Sequence, residues 1–294
     1  MIFVTGAAGF IGQNVIERLT EDHDVRGMVF SDEEKAAVEQ HGAEAVVGDI
    51  TDPEDVEAAI DDDIDVIINL VGILNGTPDQ FEAVHVGGTR NLLEASEDLD
   101  QFIYISALGA TYESTPYFRT KHEAESVIKE YDIPYTIFRP SIVFGADDGF
   151  INLLIDQVTS YPVVPVLGSG DYRLQPIYVE DLAELIAHAI GNDDCLDDTF
   201  QVGGPGIMTL DQIVDLIMDK TDTDKRKVHT PLSLASLGAP IARAVMDVPL
   251  SQNTIQMLKQ ENYVKEHHYT DIFDVNLHSL EDMFTSIYLT DEDE

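Results

Sequence analysis

The chain has 294 residues, 44% of them hydrophobic, which suffices for one large α/β domain or a dinucleotide domain with a smaller lobe and argues against general disorder. Its 56 acidic residues against 16 Lys and Arg give a formal net charge of −40, which repels nucleic-acid backbones and anionic lipid and argues against both as partners. The single cysteine, Cys195, excludes an internal disulfide and a multi-thiolate metal site, and no apolar run approaches the ~20 residues of a membrane span.

In chain order, apolar strand-like runs occur at Ile2 to Val4, Val25 to Phe30, Ala45 to Val47, Val66 to Val71 and Phe102 to Ile105. Helical stretches separate them at Phe10 to Thr20, Glu33 to Gln40, Pro53 to Ile60 and Phe81 to Ser96. Continuously apolar strands alternating with helices indicate a doubly wound parallel sheet, the α/β Rossmann class. The alternation continues with a helix from Tyr117 to Tyr131, a strand from Tyr135 to Phe138, a helix from Asp181 to Ile190 and a strand from Thr199 to Val202. The expected division is a dinucleotide domain over 1–203, with lobe insertions around 145–175, and a smaller, mostly helical lobe over 204–294 packed over the carboxyl ends of the strands.

The first strand runs into Thr5-Gly6-Ala7-Ala8-Gly9-Phe10-Ile11-Gly12, followed by an amphipathic helix. Gly6 permits a tight turn, Gly9 lets the main chain approach a pyrophosphate, and Gly12 permits close packing of helix on strand. The free N–H groups around Ala8, Phe10 and Ile11 and the positive end of the helix favour phosphate. A strand, this turn and a helix within one βαβ unit therefore predict a bound nicotinamide dinucleotide.

The spacing G-x-x-G-x-x-G resembles the short-chain dehydrogenase/reductase superfamily, particularly its extended and atypical branches, and the likeness extends over most of the chain. Gly48-Asp49-Ile50 resembles the element that holds the adenine in that family, and Asn69-Leu70-Val71-Gly72 the loop beside the cofactor ribose. Tyr117-Phe118-Arg119-Thr120-Lys121 is similar to its Y-x-x-x-K signature, and the run from Arg139 to Gly145, with Pro140 and Val143, to the segment that passes the nicotinamide. Ser106-Ala107-Leu108-Gly109-Ala110 looks closest to the branch containing the nucleotide-binding accessory subunit of respiratory complex I, a branch that also holds epimerase-like proteins and small-molecule reductases.

Residues four apart on a helix share a face, so Tyr117 and Lys121 point the same way. A nearby ammonium and an oxidised nicotinamide both favour phenolate, which suits Tyr117 to proton transfer. The resemblance implies that Lys121 also bonds the nicotinamide ribose. It places the family's second hydroxyl at Ala107, one residue beyond Ser106, leaving Ser106 as an auxiliary donor. At the end of the second strand, Val29 stands where a carboxylate would hold the 2′-OH of NAD, and Phe30 where atypical members often carry Arg. Ser31 suits a phosphate and Asp32 a hydroxyl; the missing carboxylate tilts the expectation slightly towards NADP, with NAD open.

Arg173 falls where sugar-nucleotide enzymes place an Arg towards substrate, with a structural salt bridge as the other reading. His85 stands where the family often has Asn and is read as a packing or local hydrogen-bonding residue. His267-His268 is read as a solvated pair rather than a metal site. The almost uncharged stretch from Leu232 to Met246 suits burial in the second lobe, a lid, or a docking surface for a protein partner or second copy.

Two functions remain in view. The first is an NAD(P)-dependent oxidoreductase or epimerase acting on a small hydroxyl- or carbonyl-bearing or sugar-nucleotide substrate, favoured by Tyr117 and Lys121. The second is a non-catalytic NAD(P)-binding accessory or regulatory protein, favoured by Ala107. The chain opens directly as a strand, without a basic region or cleavage site, and is expected to be cytoplasmic.

The acid is spread along the chain, at Asp61 to Asp63, Asp193-Asp194, Asp197-Asp198 and Asp291 to Glu294. Self-repulsion of that size opposes compaction unless screened, and molar salt shortens the Debye length to roughly 3 Å, so the composition points to a halophilic cytoplasm. The melting temperature is expected to rise steeply between low and molar KCl; equal values by circular dichroism would remove the halophile argument.

Overall fold

The computed structural model describes residues 1–96, 98–230, 262–265 and 268–289. The stretch from Leu232 to Met246, His267 and the acidic run from Asp291 to Glu294 lie outside them. The first strands and helices are β1 (Ile2–Thr5), α1 (Phe10–Leu19), β2 (Val25–Val29), α2 (Lys35–Glu39), β3 (Glu44–Val47), α3 (Pro53–Ala59) and β4 (Val66–Asn69). Then come α4 (Pro78–Phe81), α5 (Gly88–Glu94), β5 (Gln101–Ile105), α6 (Pro116–Ile128), β6 (Tyr135–Pro140), β7 (Val143–Phe144) and α7 (Ile151–Ser160). The rest are β8 (Val164–Leu167), β9 (Arg173–Leu174), β10 (Ile177–Tyr178), α8 (Val179–Ala189), β11 (Asp198–Val202), β12 (Met208–Thr209), α9 (Leu210–Lys220), β13 (Lys227–Thr230) and α10 (Leu280–Tyr288).

Seven of the strands form one parallel sheet in the order β11-β6-β5-β4-β1-β2-β3. Every residue of β1, β4 and β5 is buried, which is why these strands are continuously apolar rather than alternating. On one face, Phe3, Ile67, Phe102, Tyr104 and Ile137 of the sheet cluster with Leu92, Val127 and Ile128 of the helices. Each fully buried side chain of this kind contributes about 1.5–3 kcal/mol of transfer free energy. On α8, Leu182, Leu185, Ile186 and Ala189 form the expected buried stripe.

Two elements differ from their sequence patterns. The run from Val66 to Val71 leaves the sheet after Asn69, because the Asn69 side chain captures the Val71 N–H. The expected helix from Phe81 to Ser96 opens earlier, at Pro78, where Thr77 and Gln80 form a reciprocal capping box. It then widens into a π-helical turn over Glu82–Gly87 before resuming as α5. Such turns are rare and concentrate at functional sites.

The chain divides into two compact units. The first comprises Met1–Pro140, Val179–Val202 and the described residues of Glu266–Asn276; the second comprises Ser141–Tyr178 and the described residues of Gly203–Lys265 and Leu277–Glu294. The segment after β6 thus clusters with residues beyond 203, and residues near 270 return to the first unit. Within the second unit, β13 pairs with β8 in parallel, and Asp148 accepts the N–H groups of Phe150 and Ile151 at 2.8 and 2.6 Å as well as the hydroxyl of Tyr288 on α10.

Candidate functional site

Strand order reverses between β1 and β4, and the crevice beyond their carboxyl ends is where open α/β sheets bind ligands. Gly6 ends β1 with φ +69°, and a Cβ there would lie 3.2 Å from the main chain of both Leu70 and Val71. At Gly12 a Cβ would stand 2.1 Å from the Gly6 carbonyl oxygen, so only glycine lets α1 descend onto the turn. Gly9 differs: a Cβ there would meet only the Gly6 oxygen at 3.2 Å, leaving the outer side of the turn open. No side chain caps α1 and its first turn carries no acid, so the N–H groups of Phe10, Ile11 and Gly12 face the crevice edge without intrahelical acceptors. A dinucleotide pyrophosphate fits this cradle.

The facing loop is fixed by Asn69, which is buried. Its Oδ1 accepts the Thr5 hydroxyl at 3.0 Å and the Val71 N–H at 3.1 Å, while its Nδ2 donates to Thr89 Oγ1 at 3.0 Å. Leu70, Val71 and Gly72 are thereby held over the glycine turn.

Helix α6 starts where Thr115 caps the Phe118 N–H at 3.2 Å and Pro116 takes the first position. It carries Tyr117, Lys121 and Glu125 along one face. The Lys121 ammonium is buried and donates to the carbonyls of Ile105 at 2.8 Å and Val71 at 3.3 Å, above the Tyr104 ring at 4.8 Å. With two of its three N–H groups so engaged, one remains for a ligand hydroxyl. Burial pulls Lys121 down to about 7, against the opposing pull of Glu125. The Tyr117 ring packs edge-on against His85 at 5.5 Å and Phe118 at 5.3 Å. Its hydroxyl has no hydrogen-bond partner among the described residues, and packing raises the phenol to about 12.

His85, set aside in the sequence as a packing or hydrogen-bonding residue, lies at the centre of this group. Its Nε2 accepts the Ile73 N–H at 3.2 Å, and its Nδ1 lies 2.8 Å from a Thr120 hydroxyl that itself donates to the Pro116 carbonyl at 2.9 Å. Those roles require a neutral imidazole protonated on Nδ1. Burial, with the Lys121 charge second, lowers His85 to about 3.

Ser106 is placed otherwise than expected of an auxiliary donor. Its buried hydroxyl donates to Glu125 at 2.5 Å, and Glu125 is also gripped by Arg139, whose Nε lies 2.8 Å away. The Ser106 proton is therefore committed to a buried ion pair. Ala107 follows it without a hydroxyl. The Glu125–Arg139 pair was not singled out in the sequence, although Tyr117, Lys121 and Glu125 at intervals of four mark one helical stripe.

Beyond β2, Val29 is buried and Phe30 is exposed. The Ser31 hydroxyl engages Glu33, whose carboxyl is lowered first by its own backbone N–H and then by Ser31. Asp32 pairs with Lys35 at 2.8 Å. Asp49 Oδ1 accepts the N–H and hydroxyl of Thr51, each at 2.8 Å, and Ile50 is buried against Gly88. Of the remaining predicted residues, Pro140 ends the first unit, its carbonyl accepting the Leu108 N–H at 3.0 Å, whereas Val143 and Arg173 belong to the second unit. Arg173 lies over the Tyr263 ring at 4.3 Å and donates to its hydroxyl at 3.0 Å. An acid-lined recess with Asp24, Asp65, Asp100 and Asp193 opens at the opposite, amino edge of the sheet and holds none of these residues.

The chain belongs to the NAD dependent epimerase/dehydratase family, whose model matches residues 2–203. It is 29% identical over 262 residues to NADH dehydrogenase [ubiquinone] 1 alpha subcomplex subunit 9 of Arabidopsis thaliana, covering 84% of this chain and 64% of the relative. The subunit of the same name from Dictyostelium discoideum is 27% identical over 244 residues, covering 78% of this chain and 66% of the relative. The chain thus spans just under two thirds of the length of these mitochondrial relatives. The fold is shared with UDP-glucuronic acid 4-epimerase of Bacillus cereus, solved in complex with NAD, at a TM-score of 0.69 and 21% identity over 89% of this chain and 95% of that one. Among the described residues no helix is long and apolar enough to cross a membrane.

The buried ammonium has a consequence for stability. Between about 7 and the ordinary 10.5, the unfolded chain retains a proton that folded Lys121 has released, so stability rises with pH through that window. Lys121→Met is expected to flatten that rise, measured by denaturant unfolding at about pH 7 and about pH 9.5; an unchanged slope would place the Lys121 charge in water.

Proposed function

We propose that this chain binds NAD at the carboxyl edge of its sheet and uses Tyr117 for proton transfer in an oxidoreductase or epimerase reaction. The substrate is a small hydroxyl- or carbonyl-bearing molecule, with sugar nucleotides as the leading class because the fold is shared with a UDP-glucuronic acid 4-epimerase. One observation carries this reading: among the described residues the Tyr117 hydroxyl is without a partner, while one turn further on Lys121 keeps one ammonium N–H unused.

The cofactor, when bound, accepts or returns a hydride at its nicotinamide ring. The chain's own residues do the remainder. The open side of Gly9 and the N–H groups of Phe10, Ile11 and Gly12 receive the pyrophosphate, and Val71 and Gly72 border the ribose. Lys121 donates to a ribose hydroxyl and supplies positive charge beside the phenol. At about 12, Tyr117 is a proton donor in the resting protein, and a positive ring and a charged Lys121 bring it towards phenolate, from which it accepts the substrate proton. NAD is preferred to NADP, against the slight tilt of the sequence, because among the described residues Lys35 beside Ser31 is paired with Asp32 and the side chains that follow Ser31 are acidic.

A second reading has an observation of its own. Ala107 has no hydroxyl and Ser106 is bound to Glu125, so a substrate carbonyl lacks the second donor usual in the family. A non-catalytic NAD-binding accessory role with a protein partner is consistent with that loss and with the likeness to subunits of NADH dehydrogenase.

Gly9→Val is expected to fold, because the backbone there has φ −72° and the one close neighbour has to give by only a few tenths of an ångström, and to abolish NADH binding by calorimetry. Retained affinity in the folded variant would remove the site from the turn. Tyr117→Phe is expected to keep NADH binding and to lower turnover by about two to four orders of magnitude, followed by product analysis across sugar nucleotides and small carbonyl compounds. Undiminished turnover would sink the acid/base assignment, and tight NADH binding without turnover on any substrate would favour the accessory role.

A further inference from the structure

Arg139 is one of only 16 Lys and Arg in a chain with 56 acids, yet it is placed inside the fold. It stands on β6 between buried Phe138 and Pro140, and its side chain is largely buried too. Its guanidinium grips both oxygens of the buried Glu125, with Nε 2.8 Å from Oε1 and Nη2 bonded to Oε2, and the Ser106 hydroxyl donates to Oε1 as well. Lys121 lies one turn before Glu125 on α6, the spacing at which a Lys and a Glu pair readily. It does not take that partner. Its ammonium bonds the carbonyls of Ile105 at 2.8 Å and Val71 at 3.3 Å instead. Helix α6 therefore meets the end of β5 twice, through Lys121 at Ile105 and through Glu125 at Ser106. Arg139 decides which of the two forms the ion pair, because a fork of two parallel N–H donors outcompetes a single ammonium for a carboxylate.

The geometry points to Arg139 as a positioning residue for the site: by occupying Glu125 it denies Lys121 its helical neighbour, and the ammonium stays on the two carbonyls with one N–H left for a ligand. Without Arg139 the buried carboxylate draws Lys121 along the helix and off Val71. The consequence for cofactor affinity rests on the NAD-binding reading, whereas the placement of Lys121 does not. The other groups facing Lys121 are Tyr117 on its own helix, Tyr104 on β5 and His85 on the π turn. Burial keeps both phenols and the imidazole neutral, so Glu125 is the carboxylate that favours the Lys121 proton.

The test uses the whole chain with Arg139→Met. Denaturant unfolding at about pH 7 and about pH 9.5 reads the Lys121 proton, and calorimetry with NADH reads the ammonium's position. In the unaltered protein folding releases that proton, so stability rises with pH across the window. In Arg139→Met, pairing with Glu125 retains the proton, and the rise is expected to flatten. NADH is expected to bind about tenfold more weakly, the scale of one hydrogen bond to a charged group. Adding Glu125→Gln removes the competing charge and is expected to bring back both the rise and the affinity. A purely structural ion pair would lower stability equally at both pH values and leave the slope alone. Arg139→Lys, which keeps the charge and loses the fork, is expected to fall between, and it decides the matter if Arg139→Met does not fold. A folded variant that keeps the full slope, or that binds NADH as tightly as an NADH-binding parent, overturns the inference. If the unaltered protein binds no NADH while the slopes shift as stated, the cofactor reading falls and the placement of Lys121 by Arg139 stands.

Discussion

The side chain of Asn69 joins strand order, loop path and helix placement. Its carbonyl oxygen ties the end of β1 to the start of the Leu70 loop, and its amide nitrogen ties both to Thr89 on α5. An amide is needed because the group must accept twice and donate once in a place from which water is excluded. An aliphatic side chain would leave the Thr5 hydroxyl and Val71 N–H without this partner, at about 1–3 kcal/mol for each buried group left unsatisfied. From that loop follow the Lys121 contact at Val71 and the wall that faces Gly6.

Charge is handled differently one turn apart on the same face of α6. Glu125 is buried with Arg139, so its charge is balanced within the fold. Lys121, one turn earlier, is solvated mainly by two carbonyl dipoles and an aromatic face. A buried pair contributes little net stability, but removing either partner strands a charge, which costs about 3–5 kcal/mol. The arrangement commits the Glu125 carboxylate to Arg139 and Ser106 rather than to a hydrogen bond with the Lys121 ammonium, which is left free to change its protonation when a ligand arrives.

The doubly wound sheet was legible in the sequence because fully buried parallel strands must be continuously apolar, and the turn because Gly6 and Gly12 each answer a contact that a Cβ would break. The spacing of Tyr117 and Lys121 was legible for the same periodic reason. The end of β4 was hidden because Leu70 and Val71 are as apolar as the strand before them, and only a side-chain bond from Asn69 turns the chain. The π turn around His85 was hidden because helical periodicity does not register one added residue. The role of Ser106 depended on Glu125, 19 residues further along the chain, and on Arg139, 14 residues beyond Glu125, a meeting no local pattern encodes.

The bond from the Ile73 N–H to His85 Nε2 makes this loop behave unlike its neighbours. Leu74, the next residue, is exposed, yet the Ile73 amide is held by an imidazole fixed to α6 through Thr120. Its hydrogen exchange with solvent is therefore coupled to the opening of α6 against the π turn, and proceeds on the slow clock of the core rather than the fast one of the surface. A single loop amide thus reports the integrity of the whole Tyr117–Lys121 helix.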